Sequence, residues 1–149
     1  MKKSMTFKLF AFALLSLVMT ACSKYEEGSK FTVLTKKQRL VNTWTMSKTT
    51  SIIDATGAES DITSLLPAIT VDIKKDGTVT VTSVYTIGGI STTTTDEGTW
   101  VFSDDKLTVI TTDSNGDSST ATIIKLKNKE LKMSTNANGV TTVSEYTGA

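Results

Sequence analysis

Few residues in this chain can do chemistry. Among 149 residues there is one cysteine, Cys22, and no histidine. The commonest general base and commonest metal ligand are therefore missing. A single thiol excludes an intrachain disulfide and a thiolate metal cluster. No Ser-His-Asp or Cys-His set can be assembled. What remains is carboxylates. Asp96-Glu97 and Asp104-Asp105 are adjacent pairs, and Asp113-Ser114-Asn115-Gly116-Asp117 has the opening spacing of a calcium loop. Acid/base work by two carboxylates needs them to face each other across a substrate. Adjacent strand residues point to opposite faces, so neither pair converges on one site. The calcium loop fails further on, because Ser118 holds the glycine position and Ile124 the position of the bidentate glutamate. Asp and Asn here read as turn formers. The expectation is no catalytic residue, no metal and no cofactor.

Cys22 has another chemistry open to it, set by what precedes it. Lys2, Lys3 and Lys8 form a basic start, and Leu9 to Met19 is an apolar run broken by Ser16. Eleven residues fall short of the roughly 20 that a membrane-spanning helix needs. The pattern predicts a secretory signal peptide over residues 1–21. It ends in Leu17-Val18-Met19-Thr20-Ala21-Cys22, which resembles the lipobox of bacterial lipoproteins, with Met19 where that motif usually has Leu. The resemblance implies that Cys22 is acylated, palmitate included, and becomes the mature first residue. The alternative is an ordinary signal peptide cut after Ala21, leaving a free thiol. Residues 22–34 read as a polar tether to a membrane. Ser23 after the cysteine resembles outer-membrane sorting in Gram-negative bacteria. Glu26-Glu27 resembles short acidic signals for cell-surface export, or is a solvated linker; periplasmic and surface orientations both stay open.

The chain from Cys22 onward has 128 residues, with 13 basic against 15 acidic side chains, so nothing argues for nucleic acid. Threonine supplies 27 of them and serine 14. Threonine is β-branched and favours strands. A mucin-like stalk would need prolines, and the chain has one.

The elements that must position any site follow from turn signals. Thr35-Lys36-Lys37-Gln38 has the spacing of a capping box and starts a short helical turn. The staple that often accompanies it fails, because Leu34 would meet Arg39. Asn42 to Ile53 reads as a first long strand. Asp54 to Pro67 reads as a long connection with a helical turn at Ile62 to Leu66. Strands then follow at Ala68–Lys74, Thr78–Ile87, Ile90–Ser103, Lys106–Thr112, Ser118–Leu126, Glu130–Thr135 and Val140–Tyr146. Asp76-Gly77, Gly88-Gly89, Asp104-Asp105, Asn115-Gly116, Lys127 to Lys129 and Asn138-Gly139 turn the chain between them. Gly98 inside a strand predicts a bulge. Thr92 to Thr95 reads as a solvated strand end. Eight antiparallel strands with short turns predict an all-β, up-and-down barrel, which removes exposed edges. A two-sheet sandwich would need long crossovers that are not found.

The helical turn, Leu40-Val41-Asn42-Thr43-Trp44, Lys75-Asp76-Gly77-Thr78, and Gly98-Thr99-Trp100-Val101-Phe102 followed by Leu107 resemble the small lipocalin-like domain lipoproteins of Gram-negative bacteria. Asn42 stands where the lipocalin Gly-x-Trp motif has glycine. The resemblance implies an eight-stranded lipocalin-like barrel over residues 35–149. It also implies that Trp44 is a core residue closing one end. The inward set would be Val79, Val81, Tyr85, Ile87, Trp100, Phe102, Leu107, Val109, Ile124, Leu126, Leu131 and Met133, an interior lined by few charges. A domain this short leaves room for a small cavity or none. Trp100, Tyr85 and Leu66 are candidate ligand contacts, Leu66 because the first loop lies over the open mouth in the resembling barrels. Two readings follow for this lipid-anchored, monomeric, non-enzymatic envelope protein. It holds a small apolar or amphiphilic ligand, or it meets another envelope protein as partner or inhibitor.

Overall fold

A computed structural model describes residues 33–149. The signal peptide, Cys22 and nearly all of the tether lie outside the described residues.

Helix α1, Lys36–Leu40, is started by the expected capping box. The Gln38 N–H donates to Thr35 Oγ1 at 3.2 Å, and the Thr35 N–H donates to Gln38 Oε1 at 2.8 Å. These two bonds satisfy donors that a helix start leaves free. Arg39 turns inward and is buried, its Nη1 donating to the Leu126 carbonyl. That explains the missing staple, since the position is used for a cross-element bond.

Nine strands follow: β1 Asn42–Ile53, β2 Ala58–Asp61, β3 Ala68–Ile73, β4 Thr78–Ile87, β5 Ile90–Phe102, β6 Thr108–Asp113, β7 Ser118–Leu126, β8 Glu130–Ala137 and β9 Val140–Gly148. A 3-10 turn, Thr63–Leu65, sits between β2 and β3. All pairings are antiparallel. The order β1-β3-β4-β5-β6-β7-β8-β9 closes on itself through β1–β9. The result is the expected eight-stranded up-and-down barrel, with β2 as a short flap on the far half of β1. The closed ring and its core lie wholly within Leu40–Gly148.

Threonine and serine stitch the strands. Thr86 and Ser91, Thr111 and Ser119, and Thr112 and Ser118 are directly opposed pairs, with hydroxyls 2.9, 2.8 and 2.8 Å apart. Such cross-strand hydroxyl pairs are one of the favourable pairings of a sheet. The tight turns use backbone freedom where side chains cannot follow. Asn138 and Gly139 both adopt positive φ, 52° and 77°, as a primed hairpin turn requires.

One end of the barrel is closed. Leu40, Trp44, Ile73, Val79, Trp100, Leu126 and Leu131 are buried there, near α1. The opposite end carries the β1–β2–β3 connection and the β4–β5, β6–β7 and β8–β9 turns.

Five expectations are corrected. The Asp54–Pro67 connection contains β2, which pairs Ala58–Asp61 with Thr50–Ile53. Its sequence, Ala-Glu-Ser-Asp, is exposed on both faces and has no alternation to read. β6 begins at Thr108, because Lys106 takes a positive φ of 57° in the turn. No bulge interrupts β5, whose pairing with β4 is continuous from Ile90 to Thr99. Gly98 serves close approach instead: a Cβ there would run into the Thr112 backbone. The bulges lie between Met46 and Lys48 and between Ile123 and Lys125. The second shifts the two-residue period, so Ile123 rather than Ile124 is buried with Leu126. Finally, Tyr85 and Ile87 are 47% and 80% exposed. They have the inward parity of Val79 and Val81, but β3 reaches only as far as Val84. Beyond it the β4–β5 hairpin stands clear of the ring.

Candidate functional site

The closed end is built by two tryptophans used in the same way. The Trp44 indole N–H donates to the Leu40 carbonyl at 2.8 Å, and the Trp100 indole N–H donates to the Lys74 carbonyl at 2.9 Å. Each satisfies its one polar atom on backbone and leaves the ring for packing. Trp44 is fully buried, with Gly148 opposite it in β9. A Cβ at Gly148 would press on the Trp44 ring and the Asn42 amide. Trp100 stacks edge-on against Phe102, centroids 5.6 Å apart, with Lys37 Nζ 5.6 Å from its ring centre.

Above this floor is a cavity of about 370 Å³. That volume is at the small end of the roughly 300–1,000 Å³ typical of small-molecule sites. Val71, Ile73, Val79, Val81, Val109 and Met133 form its apolar wall. Ala121 leaves it room. Thr111 and Ser119 contribute hydroxyls that are already bonded to each other. The deep residues Ile73, Val79 and Val109 are buried, while Asp96, Glu97, Asp113 and Asp117, at the other end of the lining, are exposed. The cavity is therefore apolar at depth and acidic at its rim. The expectation of few charges holds for the floor and not for the rim, because β5 and the β6–β7 turn place their carboxylates at the opening.

Asp113 is committed to its own turn. Its Oδ1 accepts the Asn115 and Asp117 N–H groups at 2.8 and 2.9 Å. Chiefly the Asp117 N–H holds its carboxyl below the ordinary carboxylate range. The hairpin thus consumes the ligands that a calcium loop would use. Among the described residues no cluster of three metal-ligating side chains occurs. Asp105 likewise accepts from the Leu107 N–H and the Ser103 hydroxyl. Asp96, Glu97 and Asp117 form no ion pair with another described residue.

The residues singled out as ligand contacts are not brought together. Trp100 is 4% exposed and lies in the floor without facing the cavity. Tyr85 is on the projecting hairpin. Leu66 follows the 3-10 turn, half-buried to exposed, and no residue of Asp54–Pro67 lines the cavity. Of the lining, Val79, Val81, Val109 and Met133 belong to the expected inward set, and Val71, Ile73 and Ala121 do not. Val71, Val109 and Met133 show the alternation of their strands, but nothing local tells a lining residue from a packed one. Ala121 and Gly98 could have been suspected, as small residues at inward positions.

No curated protein matches the chain. A family model described as a lipocalin-like domain matches residues 40–133, more than half of the chain and most of the barrel. Closed ring, plugged floor and matched segment agree, and the chain belongs to the lipocalin-like domain family.

Proposed function

We propose that this protein is a lipid-anchored, non-enzymatic binding module of the Gram-negative cell envelope that holds a small apolar or amphiphilic ligand in its barrel. The observation that carries this reading is the cavity. It is walled by Val71, Ile73, Val79, Val81, Val109 and Met133 and it opens at the end away from α1. Affinity would come from apolar burial, at about 25 cal/mol per Å² before the costs of association. The tether precedes α1, which lies at the end of the barrel away from the cavity mouth. The protein acts in this reading as a monomer.

Displacement of an environment-sensitive apolar dye, with melting temperature followed in parallel, tests the ligand. The wild type, produced without residues 1–22, should bind decanol or similar probes at micromolar concentration. Ala121→Phe, which fills the cavity from β7, should not. Equal binding by both would remove the cavity as the site. Anchoring is tested separately: Cys22→Ser should block processing of the precursor and loss of the acyl label should follow.

The projecting hairpin favours a second reading. Ile87 and Ile90 at its tip are 80% and 75% exposed, beside Tyr85. Exposed apolar side chains grouped on one hairpin suit contact with another envelope protein. Absence of any probe binding would put that reading first.

A further inference from the structure

The bases of the barrel are sorted by end, while acids occur at both. Among the described residues, Lys36, Lys37 and Arg39 lie on α1. Lys74, Lys75, Lys106, Lys127 and Lys129 lie in the turns beside it, and Lys125 and Lys132 in the adjoining halves of β7 and β8. Lys48, midway along β1, is the remaining base, and it is opposite Glu145 in β9. The open end carries Asp54, Glu59 and Asp61 on one side, with Lys48 acting on Asp61, and the cavity rim on the other, with no base at the rim. A cleft with low-dielectric walls and charges of one sign at its mouth concentrates ions of the opposite sign.

Resting on the reading of the cavity as a ligand site, we propose that its ligand is a cationic amphiphile. The apolar body lies against Val79, Val81 and Val109, and the positive group sits at the rim beside Asp96, which is opposite Val81 on the inward face, and Asp117. Three observations converge on this. The cavity floor is apolar and its hydroxyls are paired with each other, so the buried part of the ligand needs no polar group. The rim carboxylates Asp96 and Asp117 have no ion-pair partner among the described residues, whereas Glu130 and Glu145 elsewhere do. Asp113 adds a third negative charge that its turn keeps ionised. An amphiphile ending in a carboxylate or phosphate would place like charges together at the mouth, which opposes binding. The selectivity is therefore for sign, delivered by the rim, on top of an affinity delivered by the wall.

Three ten-carbon probes that differ only in the head group test this: decylammonium, decanol and decanoate, each below micelle formation. The closed ring lies within Leu40–Gly148, so the protein without residues 1–22 serves for calorimetric titration. Decylammonium should bind about tenfold more tightly than decanol at low salt, a difference of about 1.4 kcal/mol. Decanoate should bind more weakly than decanol. Because the rim is exposed, about 0.5 M salt should shrink both differences severalfold. The double variant Asp96→Asn/Asp117→Asn should lose most of the preference for decylammonium over decanol while keeping the decanol affinity of the wild type. Asp113 is left in place because it holds its turn. Binding of decanol without preference for decylammonium, or a preference that the double variant leaves undiminished, overturns the cationic proposal and leaves the cavity reading standing. Binding of none of the three overturns the cavity reading and the proposal with it.

Discussion

At its closed end the barrel buries Trp44, Trp100, Leu126 and Leu131. At its open end the same strands turn threonine, serine and aspartate inward. Along β5 the inward positions run Asp96, Gly98, Trp100, Phe102, from charge through no side chain to two rings packed edge to edge. Along β1 they run Trp44, Met46, then Thr49, whose hydroxyl reaches Met46 Sδ at 3.1 Å and lies 3.5 Å from Ser144 Oγ. The closed end also carries nearly all the bases, and the rim of the open end carries acids with no base beside them. One end thus resembles a protein interior and the other a lined opening. The lesson is a division of labour along one set of strands: apolar packing near α1 stabilises the ring, so the far half can leave space unfilled.

The largest test removes the floor. Trp44→Ala should cost about 3–5 kcal/mol, the usual loss for a fully buried large aromatic. It also leaves the Leu40 carbonyl without its indole donor. Small domains have roughly 5–15 kcal/mol in total, so the denaturant midpoint should fall sharply. A loss below about 1 kcal/mol would contradict the asymmetry, because it would mean the floor is not where stability resides.

The next test sits at the boundary between the two ends. Gly98→Ala adds one methyl group where the Thr112 backbone already occupies the space. Overpacking of this kind costs about 1–3 kcal/mol, here by prying β5 from β6. The midpoint of denaturant unfolding should drop accordingly, and hydrogen exchange should rise first at Trp100–Phe102. A neutral outcome would show that β6 yields at this point and that the cavity wall is soft.

How much of this was legible depended on whether the signal was local. Strands Thr78–Ile87 and Ser118–Leu126 could be bounded from sequence to the residue, because the Asp-Gly, Gly-Gly and Asn-Gly turns and the Lys127 to Lys129 turn fix their ends. The capping box at Thr35 and the structural use of Trp44 were legible for the same reason. The flap β2 was not, since Ala58–Asp61 pairs through backbone alone. Nor were the two bulges, because nothing in Ser47 or Ile124 announces an extra residue. The cavity was least legible of all. A lining valine and a packed valine share one pattern, and what separates them is the size of residues on other strands, such as Ala121 and Gly98. Strand length mattered too: Tyr85 and Ile87 had the right parity, but β3 is shorter than β4, which only the register reveals.

A smaller effect, set by pH, acts at both ends. Asp54, at the open end, accepts from the Thr141 hydroxyl at 2.8 Å and the Asn136 amide at 2.6 Å, and these bonds hold its carboxyl below the ordinary 3.8. At the closed end Asp76 is lowered by its bonds from Thr78, and Glu130 by Lys127 and Lys125. A carboxyl whose folded pKa lies below its unfolded value stabilises the fold fully above the unfolded value. That contribution is lost as pH falls through the folded one. Unfolding midpoints should therefore be flat from pH 7 to about 5 and decline below about 4. Asp54→Asn should make the decline shallower without changing the neutral-pH plateau much, since the group is exposed. An unchanged acid slope would show that the bonds joining β1 to β8 and β9 at the open end carry no stability.

The smallest expected effect is the sharpest comparison, because it lies within one strand. Val79 and Ile87 share parity on β4 and differ in whether the ring continues around them. Val79 is 6% exposed and Ile87 is 80% exposed. Val79→Thr keeps shape and strand preference but places a hydroxyl against the apolar wall, at a cost of about 1–3 kcal/mol. Ile87→Thr/Ile90→Thr makes a larger chemical change at the hairpin tip and should shift stability by no more than about 0.5 kcal/mol. Matched denaturant melts of the two variants measure the difference directly. If the tip variant lost as much as Val79→Thr, Ile87 and Ile90 would have to be packed in solution, with the hairpin folded over the mouth. The rim carboxylates would then be covered by that hairpin rather than open to a ligand.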